Sequence, residues 1–178
     1  MKPKAKSSLK LVLPLAGRDH IQGAIDAPLT LVEYGDYECP YCGQAHPVVK
    51  AIQKQLGNRL CFAFRNFPLV NAHPHAEHAA EAAEAAGAQG KFWKMHDMLF
   101  ENQEALEDED IRDYASLLGL DANRLIQDVM SGAHADRLRE DFLGGEHIGV
   151  NGTPAFFVNG VRYDGALDGL FAALTDDS

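Results

Sequence analysis

The sequence predicts an α/β protein in which an all-helical block is inserted into a mixed sheet. Three observations predict it. Two β-rich runs flank one helical stretch over residues 29–65. Residues 74–142 are rich in Ala, Glu and Leu and nearly free of β-branched runs. Strand pattern and a hairpin signal return at 155–163. At 178 residues the length suits one domain. The expected organisation is a tail over 1–19 with an edge strand at 9–15, an α/β domain made from 20–70 and 145–178, and the helical insertion 71–144.

Each element has a local cause. Residues 29–34, LTLVEY, follow Pro28 and read as a buried strand. Over 39–56, Val48, Val49, Ile52 and Leu56 fall at helical spacing, and Gly57-Asn58 stops the helix. Pro47 inside that helix should kink it rather than end it. Residues 59–65 alternate like a strand until Asn66-Phe67-Pro68, which completes a βαβ unit. Helices are expected at 74–89, 91–103, 109–118 and 121–143, the last with a break at Ser131-Gly132. The run Glu107-Asp108-Glu109-Asp110 suits a solvated helix start favoured by the dipole. Asn159-Gly160 then predicts a tight hairpin between strands at 155–158 and 161–163, and 167–174 closes as a short helix.

Composition narrows the function. Sixteen Lys and Arg against 26 Asp and Glu give a net charge of −10, which argues against nucleic-acid or anionic-membrane partners. No apolar run approaches the roughly 20 residues of a membrane span. Lys2, Lys4, Lys6 and Lys10 imitate the start of a signal peptide, but the apolar stretch after them is short and holds Pro14. A cytoplasmic location is the expectation, and a periplasmic or secreted one if the N-terminus has been trimmed. Three cysteines are too few for a disulfide scaffold or an all-cysteine zinc site.

Two of those cysteines carry the chemistry. Cys39-Pro40-Tyr41-Cys42 lies at the turn from the first long strand into its helix. There, unpaired backbone N–H groups and the helix dipole favour an anion, which lowers the Cys39 thiol pKa. Pro40 suits a first helical turn because its missing N–H loses nothing there. Cys42 lies on the same helix face, so the pair can close a disulfide, or Cys42 can resolve a mixed disulfide on Cys39. Half of a zinc site is the alternative, but there is no second C-x-x-C to complete it.

The run LVEYGDYECPYCG at 31–43 and GVNGTPAFFVNG at 149–160 resemble the DsbA-like thiol–disulfide oxidoreductases of the thioredoxin superfamily. FRNFPL at 64–69, HPHA at 73–76 and GKFW at 90–93 are similar to members with a helical insertion. The resemblance covers about residues 20–174 and implies a thioredoxin-like fold. It implies that Glu33, six positions before Cys39 in an otherwise apolar strand, is a buried acid of raised pKa that accepts the Cys42 proton. It also implies a cis peptide at Thr153-Pro154, with Thr153 backbone groups left free to pair with an extended substrate.

Other signals read as structure. Cys61 suits a buried core thiol, and Phe92, Met95, Leu99 and Phe100 form a helical core stripe. His73, His75 and His78, near Glu77 and Glu81, lack the i, i+4 pairing of metal-binding helices, so no metal site is expected. Asp36 and Glu38 should raise the Cys39 pKa against the helix effect, and Tyr37 and Tyr41 should rim the site.

The expected function is thiol–disulfide exchange on protein or peptide thiols and disulfides, with an unidentified redox donor or acceptor. Cys39, Cys42 and Glu33 are the catalytic candidates; Pro40, Tyr41, Thr153 and Pro154 the substrate-binding ones. No organic cofactor is called for, since the cysteine pair carries the electrons. A cytoplasmic setting would favour net reduction. The rivals are a glutathione-dependent transferase or isomerase on a DsbA-like scaffold, and a non-catalytic metal-binding or docking module.

Overall fold

The computed structural model describes residues 15–176. Strand β2 (Leu29–Gly35) lies at the centre of a five-stranded sheet. It pairs in parallel with β3 (Leu60–Asn66) and antiparallel with β4 (Ala155–Val158). β1 (His20–Gln22) adds antiparallel outside β3, and β5 (Val161–Tyr163) does so outside β4. The order β1-β3-β2-β4-β5 is the mixed sheet that the sequence predicts. The described edge strand was not anticipated: three residues with Ile21 alone apolar carry no alternation to read. The edge strand expected at 9–15 lies outside the described residues except for Leu15, which packs against the buried cluster around Val32 and Phe157.

The two faces of β2 meet different layers, as its period of two requires. Leu29 and Leu31 face Val49, Ile52 and Leu56 of helix α1 (Pro40–Leu56). Val32 and Tyr34 face the other way, into a core with Ala63, Phe67, Ile148 and Phe157. Glu33 follows Leu31 on the α1 side and sits in register between Phe64 and Phe156. Helix α1 runs through Pro47 and stops at Gly57, whose φ of 53° is left-handed and suits glycine.

Five helices lie between β3 and β4: α2 (Ala76–Ala88), α3 (Phe92–Glu101), α4 (Asp108–Leu117), α5 (Ala122–Ser131) and α6 (Ala135–His147). The break between α5 and α6 falls at Gly132, in the left-handed region. Helix α4 opens on a capping box of Glu107 and Asp110, so the acidic run is a helix start. Asn159 and Gly160 both have positive φ, as the turn of the β4–β5 hairpin requires. A 3₁₀ turn, Leu167–Gly169, then leads into α7 (Leu170–Thr175).

A buried ion pair fastens the residue before β1 to β3. Arg65 Nε donates to Asp19 Oδ1 at 2.9 Å, its second nitrogen to Oδ2 at 3.0 Å, and the third to the Tyr34 hydroxyl at 3.0 Å. Both charged side chains are almost fully covered. Removing one partner leaves the other charge buried and uncompensated. Asp19→Ala is therefore expected to lower unfolding free energy by about 3–5 kcal/mol, read from urea denaturation at neutral pH.

Candidate active site

Cys39 is the N-cap of α1, with extended backbone angles and Pro40 as the next residue. Its thiol is pulled down to about 5, chiefly by a hydrogen bond from Cys42 that favours the thiolate. Burial opposes this, but Thr153 and the backbone N–H groups of Tyr41 and Cys42 add to the lowering. Cys42 goes the other way. Burial pushes its thiol well above the ordinary range, and the Cys39 and Glu33 charges push further. Two cysteines one helical turn apart are thus unlike: one is an anion at neutral pH, the other its proton donor.

Glu33 lies beneath them, 2 % exposed. Burial raises its carboxyl to about 8, and the Cys39 charge adds to the rise. Its Oε1 is buried without a hydrogen-bond partner. Gly35 keeps this pocket open, because a Cβ there would stand 2.5 Å from the Phe64 ring and 3.2 Å from Glu33 Oε1.

The peptide bond between Thr153 and Pro154 is cis. It brings the Thr153 carbonyl to 3.5 Å from Cys39 Sγ, where the neutral thiol donates to it. The Thr153 hydroxyl is buried and bonded to nothing else, so it can turn to the thiolate. Cys39, Cys42, Glu33, Thr153 and Pro154 therefore converge on one spot. Pro40 and Tyr41 are exposed beside it, Tyr41 at 68 %.

Two expectations are corrected. Tyr37 does not rim the site. It continues the inward period of Leu31, Glu33 and Gly35, is 1 % exposed, and its hydroxyl meets His96 Nδ1 at 2.9 Å. Asp36 and Glu38 do not keep the Cys39 pKa up, because both carboxylates are engaged elsewhere. Asp36 accepts from the Glu38 and Leu69 backbone N–H groups and pairs with His73 at 2.8 Å. Glu38 accepts from the His75 backbone and pairs with its ring at 2.9 Å. The Glu38 hydrogen bond raises the His75 pKa; for His73, burial works against the charge, but the Asp36 bond prevails and raises it. These histidines thus offset the two acids, while His78 turns to Asp108 at 2.8 Å.

Gln103, which no sequence signal marks, ties the site to the helical block. Its amide donates to the carbonyls of Tyr37 at 2.9 Å and Cys39 at 2.8 Å. It also lies against Gly43, where a Cβ would overlap its side chain. The link is tertiary, between the α3–α4 connection and the first turn of α1, so no local pattern encodes it.

A fold and a paired-cysteine turn of this kind define a class, and comparison with known proteins agrees. A family model described as thioredoxin matches residues 15–173, and the chain belongs to that family. Its structural neighbours are DsbA-like. A thioredoxin-like oxidoreductase from Silicibacter pomeroyi DSS-3 is 25 % identical with a TM-score of 0.79, covering 91 % of this chain and 93 % of its own. BdbD from Bacillus subtilis is 24 % identical with a TM-score of 0.82, covering 96 % and 94 %. MdbA from Corynebacterium diphtheriae, a thiol-disulfide oxidoreductase, is 18 % identical with a TM-score of 0.72, covering 87 % and 88 %. The last two likenesses speak for the fold. A Na(+)/H(+) antiporter NhaA 1 from Salinispora arenicola is 45 % identical over 170 residues, which is 94 % of this chain and 26 % of the relative. The chain thus spans about a quarter of the length of the curated relatives it matches. Among the described residues no helix is long and apolar enough to cross a membrane.

Proposed function

We propose that the chain catalyses thiol–disulfide exchange on protein or peptide substrates through Cys39 and Cys42. The opposed ionisation of the two thiols carries this reading. In the reducing direction, the Cys39 thiolate attacks a substrate disulfide. A mixed disulfide forms, and the first substrate sulfur leaves as a thiolate. Cys42 then gives its proton to the Glu33 carboxylate and attacks Cys39 Sγ. The Cys39–Cys42 disulfide forms as the second substrate thiolate leaves, so two electrons pass from the protein to the substrate. Oxidation of a substrate dithiol is the same sequence reversed.

Tyr41 and Pro40 offer an exposed apolar shelf next to a nucleophile that is itself 3 % exposed. A substrate chain laid along Thr153 and Pro154 would bring its sulfur to Cys39, with the Thr153 backbone as hydrogen-bonding edge. The direction that the ionisation favours is oxidation of substrate thiols, because a stabilised thiolate favours the reduced pair. That runs against the net reduction expected from a cytoplasmic setting, and it fits an oxidising compartment better. Ion transport belongs to the longer antiporter relatives and has no counterpart in this mechanism.

Cys42→Ser tests the reading. With resolution blocked, Cys39 should accumulate mixed disulfides with substrate peptides, seen as reducible adducts by mass spectrometry. Cys39→Ser should capture none. Equal adducts on both variants, or none on Cys42→Ser, would overturn the assignment.

A further inference from the structure

We propose that His46, His96 and Asp97 form a binding site for a divalent metal ion of the zinc class, with Glu101 able to close it. The three residues each present a ligand atom, all within 4.8 Å of one another. His46 Nε2 is buried with no hydrogen-bond partner. It stands 3.5 Å from Asp97 Oδ1 and 4.0 Å from Glu101 Oε1. Ligand atoms around a tetrahedral zinc, with bonds of roughly 2.0–2.1 Å, lie about 3.4 Å apart. The His46–Asp97 separation already matches, and the His96 ligand atom lies within 4.8 Å of both.

The surroundings suit the ion. The Tyr37 hydroxyl at 2.9 Å from His96 Nδ1 fixes that ring, as an outer partner does for metal-bound histidine. His46 stacks on Phe100 at 5.1 Å, which fixes the other ring. Two imidazoles with carboxylate oxygens select zinc-like ions over magnesium or calcium, which take oxygen alone. Lys50 now holds Asp97 at 3.0 Å, but it is exposed and can release the carboxylate to solvent. Glu101 is exposed too, so the ion has an entry path.

The ligands come from α1 and α3 alone, so a bound ion would staple the helix that carries Cys42, one turn before His46, to the helical block. The proposal stands apart from the redox reading and uses no thiol. It departs from the metal-free expectation because no spacing motif joins position 46 to 96 and 97.

The test uses the Cys39→Ser/Cys42→Ser chain, in which the motif cannot bind metal. Titration with Co²⁺ should give one equivalent of the strong visible bands of a four-coordinate site, without sulfur charge-transfer absorption, and Zn²⁺ should displace it. His46→Phe, which keeps the ring packing, and Asp97→Ala should each weaken binding by about a hundredfold while far-ultraviolet circular dichroism stays unchanged. Weak six-coordinate Co²⁺ alone, or unaltered binding in folded His46→Phe, would overturn the proposal.

Discussion

Cys39→Ser is expected to lower the rate of disulfide reduction by about a thousandfold or more, with the fold intact. The size of the loss follows from what the thiolate does. With its pKa near 5, Cys39 is almost wholly ionised at pH 7, against about one per cent for a thiol at the ordinary value of 9. That gain in thiolate is roughly a hundredfold. Intrinsic nucleophilicity falls with pKa along a slope of about 0.4–0.5, which loses a similar factor. As an attacking group, then, the depressed pKa is close to neutral. As a leaving group it is favourable, and it stabilises the reduced protein by about 2.7 kcal/mol at pH 7. For a two-electron couple this makes the potential about 60 mV less negative than an unperturbed cysteine at this position would give. Equilibration with glutathione at several pH values should show the potential changing by about 59 mV per pH unit below pH 5 and about 30 mV above it, as the reduced form stops taking up the second proton.

Glu33→Gln is expected to have the second largest effect, on two observables. Release of the mixed disulfide needs a base for the Cys42 proton. The Glu33 carboxyl, near 8, supplies that base increasingly as pH rises toward and past 8. The wild-type release rate should rise with that profile, and Glu33→Gln should lose the profile and fall by about a hundredfold, read by quenched-flow assay of a preformed peptide adduct. Stability moves the opposite way. Folding raises this carboxyl from 4.5 to about 8, so the folded chain holds the proton that the unfolded chain releases. The stability contributed by this group is full below about pH 4.5 and is lost progressively up to about 8. Glutamine has no charge to bury. The variant should match wild type at low pH and exceed it above pH 8, by an amount bounded near 5 kcal/mol. Equal stability at both pH values would mean that the carboxyl is solvated and is not the proton acceptor.

Much of the redox centre was legible because its signals are local. Three-residue spacing brings Cys42 under Cys39, and a proline after the N-cap marks where the helix begins. Gly57 and Asn159-Gly160 announce their turns by requiring positive φ. Glu33 stood out as a carboxylate in an apolar strand, and the register places it between two phenylalanines as that reading needs. The same period would have placed Tyr37 inside, had it been carried two residues past the strand.

What was not legible depends on chains meeting in space. Asp36 and Glu38 look hostile to a thiolate until His73 and His75 arrive from the segment after β3 to offset them. Gln103 is an ordinary turn residue in sequence and a double donor in the fold. The Asp19–Arg65 pair joins the residue before β1 to β3, and neither local pattern requires a charge.

All of this rests on Cys42 holding Cys39 as an anion at the mouth of α1. Ultraviolet thiolate absorbance of the reduced protein, titrated with pH against the disulfide form, measures that directly. The expected midpoint is about 5, moving up when Cys42 is replaced by alanine, since its hydrogen bond is the largest cause of the shift. A midpoint near 9, the ordinary value for this thiol, or one indifferent to Cys42→Ala, would contradict the account.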